Sequence, residues 1–120
     1  MDKLKIEEGN CIADQENSAV LYEIMGLTAP IHSEKCSLAV TRLEGKGLIK
    51  QHYHLISEEI YVITQGSATM KVNEKEFVVC KGETIVIYPK EIHELYTAEN
   101  ETIEFYAITL PPFTAEDFIN

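Results

Sequence analysis

The sequence predicts an all-β fold, an antiparallel sheet closed or doubled into a jelly-roll barrel. From residue 18 onward it is a succession of short runs rich in Val, Ile, Thr, Tyr and Phe, the composition of strands. The clusters between them are turn formers, spaced for hairpins and too closely for crossover helices. Helical periodicity is almost absent. In order, the expected strands are "SAVLYEIM", "KCSLAVTRLE", "LIKQHYH", "EIYVIT", "SATMKV", "EFVVC", "TIVIY", "HELYTA" and "TIEFYAITL". The first is followed by "TAP", the second by "EGKG", and the later ones are separated by "QG", "NEK", "KGE", "YPKE" and "AENE". So many short strands need a closed or doubled sheet to hide their edges.

Three segments follow from this reading. Residues 1–17 form a polar N-terminal arm, 18–113 the barrel, and 114–120 a tail. In the tail, the two prolines of "LPPFTAEDFIN" end the last strand, and Thr114 is placed to cap a short helical turn with acidic residues behind it. The tail is expected to pack on the outside of the barrel and the arm to be a loop or frayed.

A chain of 120 residues suits one domain with its own core. Ten basic and twenty acidic side chains give a formal net charge of -10, which argues against nucleic acid and anionic membranes as partners and leaves small molecules and metal cations. The N-terminal run "MDKLKIEEGN" lacks the apolar stretch of a signal peptide, so a cytoplasmic location is expected. Cys11, Cys36 and Cys80 are widely spaced without a CxxC, which indicates neither a disulfide framework nor a thiolate zinc site. Cys80, in "EFVVC", is expected to be buried.

The chemistry concentrates in "HYHLISEEIYVITQG", residues 52–66. On a strand, residues two apart share a face, so His52 and His54 direct two imidazoles to one point, and a carboxylate of the next strand can return there. A His-x-His pair alone carries little weight, and strand parity does not choose between Glu58 and Glu59, because both faces of "EEIYVIT" are apolar.

The run resembles the first motif of the cupin superfamily: two histidines, four residues, a glutamate, six residues and a glycine, here His52, His54, Glu59 and Gly66. "GETIVIYPKEIH" resembles the second motif, from Gly82 to His93, with Tyr88 and Lys90 where the family often has proline and glycine. Thr97 stands where an asparagine is usual, and Gly47 is one residue short of the usual spacing before His52. The resemblance spans roughly residues 36 to 113 and implies a cupin barrel that holds one divalent transition metal through His52, His54, Glu59 and His93. Three imidazoles and a carboxylate suit Fe, Mn, Ni, Co, Cu or Zn, with two positions of an octahedral ion left open. Cupins include oxygenases, isomerases, decarboxylases, lyases and non-catalytic binders. A small metal-dependent enzyme, dioxygenase or isomerase-like, acting on a small polar metabolite is therefore the first functional expectation. A module that binds, senses or sequesters a small ligand is the alternative.

Strand parity places Leu48 and Lys50 on the face of His52, and Tyr61 and Ile63 on that of Glu59. Lys50 and Tyr61 are thus the candidate catalytic groups, Lys50 either as an anion binder in the pocket or as a solvated residue at its rim. Tyr88, Tyr96 and Tyr106 have packing as the simpler reading, Arg42 a salt bridge, and His32 a solvated loop position. A homodimer is expected through an open sheet edge near Val20, Tyr22 and Ile24.

Overall fold

The computed structural model describes residues 1–120 and shows one curled, eleven-stranded sheet with no α-helix. Its strands are β1 (Asn10–Asp14), β2 (Ala19–Gly26), β3 (Ile31–His32), β4 (Ser37–Glu44), β5 (Leu48–His54) and β6 (Glu58–Val72), then β7 (Lys75–Cys80), β8 (Thr84–Ile87), β9 (His93–Tyr96), β10 (Thr102–Leu110) and β11 (Phe118–Ile119). Along the sheet the order is β1-β2-β4-β10-β6-β9-β5-β11, with β3 on β2 and with β7 and β8 on β6. Every pairing is antiparallel except β2 with β3. The expected all-β jelly-roll barrel is the fold observed.

"EIYVIT" and "SATMKV" are one strand, β6, rather than two joined by a turn. Gly66 has φ +75, a conformation glycine adopts without a side-chain clash, and a Cβ there would collide with the carbonyl oxygen of Thr102. At this bend β6 changes partners. Its first half pairs with β8 and β10, its second with β7 and β9, and the register with β10 slips between Glu104 and Phe105. The slip also changes which parity faces inward, from Tyr61 and Ile63 to Ala68 and Met70, all four buried. These residues join Leu43, Val79, Ile87, Leu95, Ile103 and Phe105 in a single core.

Both chain ends depart from expectation. The arm contributes β1, whose backbone pairs with β2 from Asn10 opposite Glu23 to Asp14 opposite Ala19, although every β1 side chain is exposed. The edge of β2 is therefore covered by the chain's own arm. Ile24 is buried, and β1 rather than β2 is the terminal strand. In the tail, Thr114 caps the turn Ala115–Asp117 by accepting from the Asp117 N–H, and β11 then pairs with His54 and Tyr53. Cys80 is exposed and not buried, since Val79 takes the inward position of β7.

Two departures from the cupin pattern are accommodated locally. Thr97 is buried, and its hydroxyl accepts a hydrogen bond from the Gly47 N–H at 2.8 Å while its own N–H donates to the Gly47 carbonyl at 3.0 Å. Lys90, at a position the family often fills with glycine, has φ +70, and its N–H donates to the His54 carbonyl at 2.7 Å.

Candidate metal centre

Four side chains meet inside the barrel. His52 and His54 end β5, Glu59 is the second residue of β6, and His93 opens β9. The pairing of His52 with His93 across β5 and β9, and the three-residue return Leu55–Ser57 from β5 to β6, bring one ligand atom from each residue within 4.8 Å of all the others. All four residues are buried, whereas Glu58 is exposed.

The outer nitrogens of the rings are held by acceptors. His52 Nδ1 lies 2.8 Å from the Lys50 carbonyl and His93 Nδ1 lies 2.9 Å from the Glu91 carbonyl, so these nitrogens carry the proton and donate it. Each Nε2 is then an acceptor turned toward the centre. Nε2 of His93 stands 3.1 Å from Glu59 Oε1, and Nε2 of His54 stands 3.6 Å from it. His54 Nδ1 faces Asp117 Oδ2, also at 3.6 Å.

Burial, reinforced by His93, lowers the His52 pKa from 6.5 to about 4. Burial raises the Glu59 pKa, but the His54 and His93 imidazoles beside it, at 3.6 and 3.1 Å, outweigh it and bring the value to about 2. For His54, burial opposes protonation, while Glu59 and Asp117 beside it shift the balance upward. At neutral pH, Glu59 is ionised and His52 neutral, the protonation states in which these groups act as ligands. Both nitrogens of buried His54 lack a hydrogen-bond partner within the protein. An unpaired polar group in an interior costs about 1–3 kcal/mol, and a cation at the centre would engage the inner nitrogen. The donor set and the orphaned imidazole fit a divalent transition metal.

Above the centre lies a cavity of about 320 Å³, twelve of whose twenty lining residues are hydrophobic. His52, His54, Glu59 and Tyr61 reach it. Tyr61 is 2% exposed, and burial together with the Glu59 carboxylate pushes its hydroxyl well above the ordinary range, so Oη keeps its proton.

Lys50 does not share this chamber. The register of β5 against β9 shifts between Ile49 and His52, so the alternation that would align Leu48, Lys50 and His52 is broken. Ile49 faces the cavity in their place, and the Lys50 side chain is exposed. Arg42 is outside as well, paired with Glu104 at 2.5 Å across β4 and β10. Tyr96 donates to Glu76, while Tyr88 and Tyr106 are exposed, as is His32.

Sequence reasoning missed what the chain ends supply. Asp117 accepts from the N–H groups of Ile56 at 2.7 Å and Ser57 at 3.2 Å, which pins the return between His54 and Glu59. Phe118 stacks on His52 with ring centroids 4.6 Å apart, and Phe113 meets His54 edge-on at 6.4 Å. Ile12 and Asp14 of β1 line the opposite side of the cavity. Phe113 and Phe118 near the chain end were the available signal, since a solvated end has no use for them.

Comparison with known proteins agrees with this fold. The chain is 35% identical over 79 residues to the uncharacterized protein MJ1618 of Methanocaldococcus jannaschii, an alignment covering 66% of this chain and 62% of that protein. It superposes on Pac13 of Streptomyces, described as a unique nucleoside dehydratase, with a TM-score of 0.80 at 13% identity over 98% of this chain and 88% of the other. It superposes on a cupin protein of Bacteroides fragilis with a TM-score of 0.61 at 20% identity, over 64% and 66% of the two chains. These two likenesses speak for the fold. The profile of AraC-like ligand binding domains matches residues 41–120, a span that contains all four converging side chains, the cavity residues of β5, β6 and β10, and the tail that closes over them. The chain belongs to that family of cupin-type domains.

Proposed function

We propose that the protein is a small metal-dependent enzyme of the dioxygenase or isomerase type. In this reading His52, His54, Glu59 and His93 hold one ion among Fe, Mn, Ni, Co, Cu and Zn. The observation that carries it is the convergence of four buried ligand atoms within 4.8 Å at the base of a cavity large enough for a small molecule. A divalent ion there supplies Lewis acidity toward a substrate oxygen, or a site for dioxygen. His52 and His93, through Nδ1 donation to backbone carbonyls, keep their inner nitrogens aimed at the centre. Tyr61 holds a proton on Oη next to Glu59 and offers it as a hydrogen bond to a substrate oxygen. Lys50 has no part in this scheme.

The family match supports a second reading, a domain that binds or senses a small molecule without converting it. The same residues would serve it. Metal analysis of untagged protein, with His54→Ala and His93→Ala as controls, tests the centre common to both. A metabolite screen scored for turnover as well as thermal shift separates them.

A homodimer and a cytoplasmic location belong to the same proposal. No helix is long and apolar enough to cross a membrane. The terminal strand β1, rather than β2, offers the open edge for pairing with a second copy. Light scattering at micromolar concentration decides the first point and cell fractionation the second.

A further inference from the structure

Away from the metal centre, the cavity wall carries charge of one sign only. Beyond His52, His54, Glu59 and Tyr61 around the centre, the ionisable side chains that line it are Glu23 on β2 and Asp14 on β1. Neither lysine nor arginine lines it. Asp14 is exposed at the rim, its carboxylate accepting from the Asn17 N–H and Nδ2 and partly offset by Lys50, but Glu23 is half-buried and faces the chamber beside Leu21 and Met25. The remaining wall is made by groups such as Ala39, Ile49, Phe105 and Phe118, with Thr41 and Thr109 as neutral hydrogen-bonding positions. An anion held there, away from the metal centre, would lose its water, find no lysine or arginine on the wall and meet the Glu23 carboxylate.

We infer that this cavity selects a molecule whose body is uncharged and mostly apolar, and excludes metabolites that carry a carboxylate or phosphate away from the metal centre. The inference rests on reading this chamber as the ligand site, and it replaces the polar, anion-bearing substrate that an inward Lys50 would have favoured. Its volume, at the lower end of small-molecule sites, sets the scale of the body at a single ring with short substituents. Glu23 is the residue that enforces the selection. It repels an anion and accepts a hydrogen bond from a neutral hydroxyl or amide.

Matched probes test this in two ways. With zinc-loaded protein, calorimetry compares benzohydroxamic acid with 4-carboxybenzohydroxamic acid, which share a chelating head and differ in one charge on the body. The neutral probe is expected to bind at least tenfold tighter in the parent. In Glu23→Gln that ratio is expected to fall at least threefold. Equal or tighter binding of the carboxylated probe to the parent overturns the inference, as does an unchanged ratio in Glu23→Gln. With metal-free protein, NMR of the Met25 and Ala39 methyls compares 4-methylbenzamide with 4-methylbenzoate, so the inference is decided even if no metal is retained. Shifts from the amide alone support it, and an equal response to the benzoate, or no response to either, overturns it. Loss of zinc binding, by contrast, refutes the metal reading and leaves the amide and benzoate comparison standing.

Discussion

Replacing Asp117 by alanine separates the tail's contribution to the site from that of the barrel. The carboxylate accepts from Ile56 N at 2.7 Å and Ser57 N at 3.2 Å and lies 3.6 Å from His54 Nδ1. Hydrogen bonds to a charged group are worth about 1.5–3 kcal/mol each. Ile56 is 70% exposed, so its N–H regains water on truncation and the loss there falls at the low end. Ser57 is 2% exposed, so its N–H is left buried and the loss is fuller. Together these place the destabilisation at about 3 kcal/mol, a large share of the roughly 5–15 kcal/mol typical of a domain. Urea unfolding of metal-free protein should show a midpoint lowered by about 1–2 M at a typical slope. Zinc affinity, measured by competition with a chelating dye, should also fall, because the return that carries His54 toward Glu59 loosens and the negative charge 3.6 Å from His54 Nδ1 is lost. Asp117→Asn keeps one acceptor oxygen and should lie between parent and alanine variant in stability. Unfolding within 0.5 kcal/mol of the parent, taking ~0.5 as the usual surface-substitution range, would refute the pinning of the return. Unchanged zinc affinity would refute any hold of Asp117 on His54.

In metal-free protein the depressed His52 pKa means that the unfolded chain takes up a proton between pH 6.5 and about 4 that the folded chain refuses. Stability supplied by neutral His52 is therefore present above 6.5 and lost as pH falls toward 4, by up to about 3 kcal/mol from 2.5 units at ~1.36 each. The raised His54 pKa acts in the opposite sense, so the measurement is the difference between parent and His52→Gln in urea unfolding across that range, and a pH-independent difference would sink it. Lys50→Met should leave the zinc affinity and the binding of an oxalate probe within about twofold of the parent; a loss of ~1 kcal/mol or more would return Lys50 to the cavity. Gly66→Ala should cost about 2–4 kcal/mol, since it strains a positive φ and drives a Cβ into the Thr102 carbonyl, and thermal unfolding near the parent Tm would contradict the bend. Lys90→Gly should raise stability by roughly 0.5–1 kcal/mol by relieving φ +70, with urea unfolding as the check.

Much of the barrel and the identity of its four converging side chains were legible because they depend on local pattern. Strand composition and turn spacing need only neighbouring residues, and the two histidine-glutamate motifs keep a register that survives in linear order. Strand parity failed where the backbone leaves the regular pleat. The register shift after Ile49 expelled Lys50, and the bend at Gly66 joined two expected strands into β6 while reversing the inward parity from Tyr61 and Ile63 to Ala68 and Met70. No count along a strand reveals a slip of one residue, because the slip is set by the partner strand.

The sequence by itself determined the all-β class, the central strands, the His52, His54, Glu59 and His93 set and the cap at Thr114, since each rests on residues close in the chain or on a motif spacing. Only the tertiary structure decided that Asp117 and Phe118 reach back across about sixty positions to His54 and His52, and that Asp14 and Glu23 supply the carboxylates lining the cavity beyond Glu59. Such contacts arise when closure of the sheet brings its ends together. The chain order of a tail or an arm carries no trace of which strand it will meet, because that choice depends on the free energy of burying phenylalanine rings and satisfying two backbone N–H groups in the finished barrel.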